Sequence, residues 1–338
     1  MVIYKNISLK KYNTFGLDYL AECIIHLNTQ KEAIDLFKGN TIRKKPLLIL
    51  GSGSNILFTG NFKGTILYPA MKGIKIEGKT ADNGFITVSA GAGVIWDDFV
   101  GWTVNKGFGG LENLSHIPGK AGATPVQNIG AYGVEAKDLI IKVRAICLHD
   151  GKIRIFNNDE CEFSYRNSIF KQKEKGKYLV TRVYYRLSVN PSLNLNYGSL
   201  KEEVHKLGEE TLKNVRQAVI NIRKKKLPDP EITGNAGSFF KNPVVKCFVA
   251  MELKKQYPEM PLYNDREGFM KLAAGWFIEN CGWKGKRKGD AGVHDKQALV
   301  LANYGKASGT DIFNLSEEIK KSVFEKFDVK LEREVEIV

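Results

Sequence analysis

The sequence predicts an α+β protein, because segments with strand periodicity and segments with helix periodicity follow one another in no repeating order. Of the 338 residues, 43% are apolar and 26% are charged, and the chain shows no internal repeat and no low-complexity tract. This composition is typical of a folded globular protein, and the length is enough for two or three packed units.

The strand predictions rest on short apolar or alternating runs that end at turn residues. The clearest is a hairpin over 140–156, where the turn pair Asp150-Gly151 separates two apolar runs. The other predicted strands are 46–51, 65–69, 85–90, 178–188 and a terminal strand over 329–337.

Three segments carry apolar residues at helical spacing, namely 94–106, 209–226 and 310–327. The second of these helices ends in the basic run 223–226, which suits the negative end of a helix dipole. The prolines in 227–230 stop that helix and predict a domain junction.

The net charge of +14, from 51 Lys and Arg against 37 Asp and Glu, indicates anionic partners. One alternative is therefore a nucleic-acid-binding protein, supported by the basic clusters 223–226 and 284–288. The sequence lacks the signatures of the common nucleic-acid-binding domains, and runs of Lys and Arg are most often solvated surface.

Several common cofactor and metal motifs are missing from the sequence. Without GxxxxGK[ST] or GxGxxG, neither a P-loop nor a Rossmann fingerprint is expected, and without HExxH or paired histidines no metal is expected. Five cysteines without a CxxC pair indicate a reducing compartment. Because no signal-peptide pattern and no apolar run near the ~20 residues of a membrane span is present, we expect a cytoplasmic location without membrane contact.

Two glycine-rich segments have the composition of a cofactor cradle. GSGSN (51–55) follows a predicted strand, where successive backbone N–H groups can hold a diphosphate, although an ordinary turn is the alternative. In IPGKAGATPVQNIGAYG (117–133), small residues let the backbone lie against a planar ligand whose ring atoms side-chain amides can recognise. The alternative is a surface loop, and its apolar residues Val126 and Ile129 argue against a fully solvated one.

Three further segments hold side chains suited to catalysis or binding. Arg166 in SYRNSIF (164–170) has the surroundings of a guanidinium that clamps a carboxylate or phosphate. Ser238 follows a glycine and precedes two phenylalanines in GNAGSFFKNP (234–243), and acids alternate with apolar residues in LEREVEIV (331–338). Taken singly, each has an ordinary alternative: a surface arginine, a turn, and a solvated strand face.

Taken together and in order, these segments resemble the MurB family of flavin-dependent UDP-N-acetylenolpyruvoylglucosamine reductases. The resemblance covers about residues 10 to 338, nearly the whole chain. The segments that carry it are NTFG (13–16), GSGSN (51–55), GLENLSHIPGKAGATPVQNIGAYG (110–133), YRNSIF (165–170), KLPDP (226–230), GNAGSFFKNP (234–243), KLAAGW (271–276) and QALVL (297–301).

The resemblance implies a vanillyl-alcohol-oxidase/PCMH-type FAD-binding fold of two subdomains, followed by a C-terminal α+β substrate-binding domain. That fold holds the diphosphate of FAD with loops at strand ends, which accounts for the missing Rossmann fingerprint. The loop 192–200 resembles the insertion of the type I form, in which a tyrosine, here Tyr197, closes over the substrate. The implied segments are 1–70 and 71–226 for the FAD subdomains, 227–328 for the substrate domain and 329–338 for a terminal strand with the catalytic glutamate.

The same resemblance implies roles for individual residues. Arg166 and Glu334 are expected to stabilise an enolate, and Ser238 is expected to donate a proton. Substrate contacts are expected from Tyr197, Lys226, Asn242, Lys271 and Gln297. The residues expected to bind FAD are Gly51, Ser52, Gly53, Ser54, Asn55, Ile117, Pro118, Gly119, Gly122, Ala123, Thr124, Gln127, Asn128, Gly130, Ala131, Tyr132, Gly133 and Arg223.

The implied reaction has two steps, in which NADPH reduces noncovalent FAD and the flavin then reduces the enolpyruvyl group of UDP-N-acetylglucosamine enolpyruvate. Hydride adds to the β carbon, so negative charge develops at the α carbon and carboxylate, where a guanidinium stabilises it and a hydroxyl protonates the carbon. The expected product is UDP-N-acetylmuramate, the expected state is a monomer, and most of the +14 charge is expected to be surface composition without a nucleic-acid partner.

One segment departs from the family pattern, which has proline where this chain has Arg333. Val335 sets the register that keeps Glu334 as the catalytic acid. If the strand slips by two residues, Glu332 takes the position of Glu334 on the same face. A further alternative is an FAD oxidase on the same fold. Such enzymes often tether the flavin through His or Cys, and His116 is the histidine near the predicted flavin segment.

Overall fold

The structure is a computed structural model, and it describes residues 1–39, 46–79 and 84–338. The chain divides into two compact units, each with its own hydrophobic core. Unit 1 comprises residues 1–7, 21–52 and 63–225, and unit 2 comprises residues 8–20, 53–62 and 226–338.

The described strands are short, and most belong to antiparallel sheets. In chain order they are β1 (Val2–Ser8), β2 (Leu20–Leu27), β3 (Leu47–Ile49), β4 (Ile56–Leu57), β5 (Phe62–Pro69), β6 (Ile74–Lys79), β7 (Phe85–Gly91), β8 (Gly130–Ala131), β9 (Val134–Glu135), β10 (Ile140–Cys147), β11 (Ile153–Asn157), β12 (Tyr178–Ser188), β13 (Gly234–Ser238), β14 (Val244–Lys246), β15 (Leu262–Asn264), β16 (Phe269–Leu272), β17 (Arg287–Lys288), β18 (Ala291–Val293), β19 (Val300–Asn303) and β20 (Glu336–Ile337).

The α-helices of the described ranges are α1 (Gln30–Lys38), α2 (Trp96–Asn105), α3 (Leu200–His205), α4 (Leu212–Lys226), α5 (Cys247–Gln256), α6 (Ala274–Asn280) and α7 (Gly309–Phe327). None of them is both long and apolar enough to cross a membrane.

Unit 1 is built on two sheets, a four-stranded sheet in the order β1-β2-β5-β3 and a five-stranded sheet in the order β11-β10-β12-β7-β6. The strands of the five-stranded sheet pair antiparallel, whereas β3 and β5 run parallel. Helix α2 packs Trp96 and Phe99 against Tyr185 of β12, and this aromatic contact is the centre of the core beneath the sheet.

Unit 2 contains a four-stranded sheet in the order β13-β19-β18-β17, a three-stranded sheet in the order β14-β16-β15 and the parallel pair β20-β4. Helix α7 begins at a capping box in which Ser308 and Asp311 satisfy each other's backbone N–H groups. Its buried residues recur at helical spacing, so one face of α7 lies in the core of this unit.

The structure confirms the predicted hairpin, because β10 and β11 pair antiparallel and Gly151 takes the left-handed conformation, with φ at +70°. The terminal strand is shorter than the predicted 329–337, since regular pairing covers only Glu336–Ile337. The reason is a change of partner within the segment. Residues 332–334 bond to the backbone of 239–241, whereas residues 336–338 bond to the backbone of 55–57.

Candidate functional site

The glycine-rich loop (117–133) of unit 1 begins next to a residue in an unfavourable backbone conformation. His116 has φ at +58°, in the left-handed region that residues other than glycine rarely adopt. Its N–H donates to Asp97 Oδ1 at 2.5 Å, and its carbonyl accepts from Arg223 Nε at 3.0 Å. Both backbone groups of His116 are therefore held by helices outside the loop, α2 and α4.

Asp97 is itself held by a second arginine of α4. Arg216 donates from both terminal nitrogens to the two oxygens of Asp97, at 2.6 and 2.9 Å. Burial acts to raise the pKa of Asp97, but the hydrogen bonds from Arg216 and His116 outweigh it and keep that pKa below its usual value. The carboxylate is therefore ionised at neutral pH and fixes the entrance of the loop.

Arg223 is a half-buried cation that forms no salt bridge with the described residues. Burial lowers its pKa, while the charges of Tyr132 and Asp97 act in the opposite direction. A guanidinium nevertheless remains protonated in proteins, and the structure shows no hydrogen bond from its two terminal nitrogens to any described group. This cation fits the diphosphate of a dinucleotide.

Close backbone packing accounts for the small residues of the glycine-rich loop. A Cβ on Gly122 would lie 2.5 Å from the Cβ of Ala92, so only glycine allows the loop to lie against the end of β7. A Cβ on Gly51 would lie 3.8 Å from the Cβ of Ala123. The beginning of GSGSN and the glycine-rich loop, which the sequence singled out separately, therefore meet within unit 1.

Asn128 fixes the middle of the loop from inside it. Its Nδ2 donates to Glu135 Oε2 at 2.9 Å and to Ser164 O at 3.0 Å, and its Oδ1 accepts from Lys137 N at 2.9 Å. The residue also lies in the left-handed region, with φ at +45°. Its side chain therefore positions the loop, and Thr124 does the same further upstream through a 2.7 Å hydrogen bond to the Tyr185 hydroxyl.

Arg166, the predicted catalytic arginine, lies against the far part of the same loop. Its Nη2 donates to Gly130 O at 2.7 Å, and its Nη1 donates to Asn128 O at 3.5 Å. Its own backbone is left-handed, with φ at +53°, and its guanidinium lies 5.5 Å from the centre of the Tyr165 ring. The structure thus brings a predicted catalytic residue to the predicted flavin loop within unit 1.

The far end of the glycine-rich loop contacts the predicted substrate loop (192–200). The rings of Tyr132 and Tyr197 meet edge to face, with their centres 5.9 Å apart. Asn194 Nδ2 donates to Gly133 O at 3.3 Å. The Tyr197 side chain is about half exposed, so it lies at the surface beside a residue predicted to bind FAD.

The second half of GSGSN belongs to unit 2. A Cβ on Gly53, whose φ is +66°, would lie 2.0 Å from Tyr12 O, so the position requires glycine. The Gly53 carbonyl accepts from Thr14 N at 3.2 Å. Asn55 Nδ2 donates to the carbonyl of Glu334 at 3.2 Å, so this predicted cofactor residue supports the terminal segment.

Backbone pairing in unit 2 places Glu334 beside the strand of Ser238. Glu334 N donates to Phe239 O at 2.8 Å, and Lys241 N donates to Glu332 O at 2.9 Å, which sets the register. The Ser238 hydroxyl makes no hydrogen bond within the described ranges. The carboxylate of Glu332, the competing acid, is exposed and forms an ion pair with Lys241 at 3.3 Å.

Three predicted substrate residues of unit 2 lie near the start of α6. Asn242 Oδ1 accepts from the first N–H of α6 at 3.0 Å. A Cβ on Gly275, the second residue of α6, would lie 3.4 Å from Gln297 Oε1. Lys271, just before the helix, forms an ion pair with Asp265 at 3.3 Å.

The remaining predicted binding residues are all at least partly exposed. They are Ser52, Ser54, Ile117, Pro118, Gly119, Gln127, Ala131 and Lys226. In unit 1, accessible small residues, a backbone that only glycine permits and the half-buried Arg223 together fit a dinucleotide with a flat ring system. No group of three or more metal-ligating side chains occurs in the part of the chain that the structure describes.

The sequence analysis missed the residues that hold the loop from outside, chiefly Asp97, Arg216 and Asn113, whose Nδ2 donates to Tyr132 O at 2.8 Å. One signal was present, because Arg216 precedes Arg223 by two helical turns and therefore shares its helix face. Nothing local marks Asp97, since an acid in the first turn of a helix has an ordinary explanation in the helix dipole.

Two family profiles match the chain in successive segments. One described as "FAD binding domain" matches residues 21–157, and one described as "UDP-N-acetylenolpyruvoylglucosamine reductase, C-terminal domain" matches residues 229–338. With the glycine-rich loop and its cation, these matches define an FAD-dependent oxidoreductase of the vanillyl-alcohol-oxidase/PCMH-type fold with a C-terminal α+β domain.

Whole-chain relatives narrow this class to one family. A UDP-N-acetylenolpyruvoylglucosamine reductase from Flavobacterium johnsoniae is 46% identical over 341 residues and covers 100% of both chains. One from Neisseria gonorrhoeae is 46% identical over 96% of this chain and 94% of its own. The crystal structure of the Thermus caldophilus reductase superposes with a TM-score of 0.68 at 25% identity, covering 100% of this chain and 99% of that one. The chain belongs to the MurB family of UDP-N-acetylenolpyruvoylglucosamine reductases.

Membership confirms the resemblance, the fold class and the prediction of an FAD-dependent oxidoreductase of peptidoglycan precursor synthesis, a UDP-N-acetylmuramate dehydrogenase. FAD and NADPH, the predicted cofactors, are those of this family. The reductase interpretation is therefore confirmed. The predicted segment boundaries and the roles of individual site residues stay predictions.

Proposed function

We propose that the chain reduces the enolpyruvyl group of UDP-N-acetylglucosamine enolpyruvate to UDP-N-acetylmuramate, with NADPH as the hydride source. The observation that carries this proposal is the register in unit 2, where Glu334 pairs with Phe239, the residue after Ser238. The pairing brings the backbone of Glu334 next to the strand that carries Ser238, and a carboxyl group and a hydroxyl are the residue types that the charge and the proton of an enolate need.

The chemistry that bound FAD supplies is hydride uptake from NADPH and hydride delivery to the β carbon of the double bond. Residues of unit 1 serve the binding of this cofactor. Arg223 meets the negative charge of the diphosphate, and the absence of side chains at Gly51 and Gly122 leaves their backbone open to the ligand. Asn128 and Thr124 keep the glycine-rich loop in place from within.

Three residues handle the charge that develops on the substrate. Arg166, which is fixed to the carbonyls of the glycine-rich loop, supplies a guanidinium that stabilises the enolate, and Glu334 is the second residue with this role. Ser238 donates its hydroxyl proton to the α carbon, forming the new C–H bond, and the serine oxygen regains a proton from water afterwards.

Further residues bind the rest of the substrate. Tyr197 lies on a half-exposed loop in unit 1, where it can cover a ligand. Lys226, Asn242, Lys271 and Gln297 belong to unit 2 and supply cations and amides for a diphosphate and a carboxylate.

The test is reoxidation of the reduced enzyme in a stopped-flow instrument. The purified protein should be yellow, NADPH should bleach the flavin absorbance anaerobically, and the enolpyruvyl substrate should restore it roughly 100-fold faster than oxygen, because only the substrate meets a positioned proton donor. Reoxidation by oxygen at the same rate as by substrate would favour an oxidase. A protein that never takes up FAD would overturn the proposal.

We further propose that the enzyme is a cytoplasmic monomer. The five cysteines are free thiols, which suits a reducing compartment. Light scattering coupled to size exclusion should give one chain of 37.9 kDa, and a dimer mass would contradict the monomer.

A further inference from the structure

Asn113 lies where two loops of unit 1 meet, and it is fully buried. Its Nδ2 donates to Tyr132 O and to Asn194 O, both at 2.8 Å. Tyr132 is near the end of the glycine-rich loop, and Asn194 is in the substrate loop (192–200). One side-chain amide therefore ties the backbone of the predicted flavin loop to the backbone of the predicted substrate loop.

The orientation of this amide is fixed by its partners. A rotation of the Asn113 amide by half a turn would point Oδ1 at two carbonyl oxygens, which repel it. In the orientation observed, Oδ1 is buried without a hydrogen-bond partner. Because an unsatisfied buried acceptor destabilises a fold, the two donated hydrogen bonds are what favours asparagine at this position.

Two more contacts join the same loops. Asn194 Nδ2 donates to Gly133 O at 3.3 Å, and the Tyr197 ring meets the edge of the Tyr132 ring. The substrate loop is anchored at two buried leucines, Leu195 and Leu200, whose hydrophobic cluster includes α4. These contacts attach its exposed part around Tyr197 to the glycine-rich loop, and the Tyr132 ring also packs against the leucine cluster.

We propose that Asn113 is a positioning residue that couples the two loops, so that FAD bound by the glycine-rich loop also orders the Tyr197 loop before substrate arrives. Whatever fixes the carbonyl of Tyr132 fixes the carbonyl of Asn194 through the same amide. The identity of the two ligands rests on the proposed function, whereas the coupling itself rests on the hydrogen bonds of Asn113.

The experiment compares Asn113→Leu with a matched control, Asn158→Leu. Asn158 also donates from Nδ2 to two backbone carbonyls of unit 1, Lys137 O at 2.8 Å and Ile140 O at 2.6 Å, neither of which is in the two coupled loops. Chymotrypsin cleavage after the half-exposed Tyr197 reports on the substrate loop, and digestion with and without FAD needs no catalytic turnover.

FAD should slow this cleavage roughly tenfold in the wild-type chain and in Asn158→Leu, but less than about twofold in Asn113→Leu, which lacks both hydrogen bonds. Steady-state kinetics should show a matching rise in the substrate KM of Asn113→Leu with kcat nearly unchanged, which a general loss of folding would not produce.

Equal protection by FAD in Asn113→Leu and the control would overturn the coupling. If Asn113→Leu does not fold, hydrogen exchange of the wild-type chain tests the coupling instead. Amides of residues 194–200 should exchange more slowly when FAD is bound, and unchanged exchange there would overturn the proposal. Because neither proteolysis nor hydrogen exchange involves the enolpyruvyl substrate, both of these measurements stand apart from the test of the proposed reaction.

Discussion

The glycine-rich loop of unit 1 and the terminal segment (332–338) of unit 2 are held in opposite ways. Side chains of other elements hold the loop, since Asp97, Asn113, Arg166 and Arg223 all bond to backbone groups in or next to it. The terminal segment is held chiefly through its own backbone, by hydrogen bonds to the backbone of 239–241 and 55–59, and the side chains of Asn55 and Thr59 add further hydrogen bonds.

The difference follows from backbone conformation. Positive φ angles at residues such as Asn128 and Tyr132 prevent the loop from forming a continuous ladder, so its polar groups need side-chain partners. The extended terminal segment pairs its N–H groups at 334, 336 and 338 with backbone carbonyls. Substitution of a single distant side chain should therefore disturb the loop, whereas substitution of an exposed side chain should leave the terminal segment in place.

The largest effect should come from Ser238→Ala in unit 2. Loss of the proton donor should slow reoxidation by the enolpyruvyl substrate by roughly 100- to 10,000-fold, the range of general acid catalysis. FAD reduction by NADPH and the midpoint of thermal unfolding should not change, because the region is held by its backbone. Stopped-flow measurement of both half-reactions checks this, and an equal loss in both would show that the serine has another role.

Asp97→Asn should have the next largest effect, on the loop. It weakens charge-assisted hydrogen bonds to His116 and Arg216, which are each worth about 1.5–3 kcal/mol, so FAD should bind roughly 10- to 100-fold more weakly. Titration of flavin fluorescence measures the dissociation constant. Asp98→Asn, one residue away and exposed, is the control and should bind FAD normally. An unchanged affinity of Asp97→Asn for FAD would mean that the hydrogen bond between Asp97 and His116 does not hold the loop in the conformation that binds FAD.

Lys120 offers a test within the loop itself, with a smaller effect. Its ammonium lies 3.4 Å from the centre of the Tyr68 ring, and burial, aided by the charge of Lys72, lowers its pKa to about 8. The folded state releases this proton before the unfolded state does, so the free energy of unfolding should rise with pH above 8, by about 2 kcal/mol between pH 7 and pH 9.5.

The matched variant Lys120→Met should lack this rise, and urea unfolding at pH 7 and 9.5 measures the difference between the two chains. His26 lies in the same aromatic stack as Tyr68, and burial and Lys120 lower its pKa, so its titration falls below this pH range. An identical pH response in both chains would show that Lys120 is not the titrating group.

The smallest effect should come from Glu332→Gln in the terminal segment. Its carboxylate is exposed and its partner is Lys241, and such surface pairs contribute about 0–1 kcal/mol. Reoxidation by substrate should stay within about twofold of the wild-type rate. If Glu332→Gln loses as much of this rate as Glu334→Gln does in the same assay, the assignment of Glu334 as the reacting acid is wrong, and so is the register on which it rests.

Much of the fold was predictable, because buried residues recur along the chain at the period of the helix or strand that contains them. The helix predicted over 310–327 is α7, and the strand predicted over 178–188 is β12, since both follow strong apolar spacing. The terminal strand over 329–337 was predicted too long. Alternation of acids with apolar residues does not reveal that the backbone changes partners near Val335.

The sequence by itself determined the family, the flavin chemistry and the segments that carry it. Glycines and short motifs such as GSGSN reflect local backbone requirements, and these are visible in a single sequence. Only the tertiary structure decided what holds those segments. Asp97 meets His116 and Arg216 across 19 and 119 residues of chain, and Asn113 meets Asn194 across 81. Hydrogen bonds form between groups that folding brings within about 3 Å, and no local pattern records which distant residue will lie there.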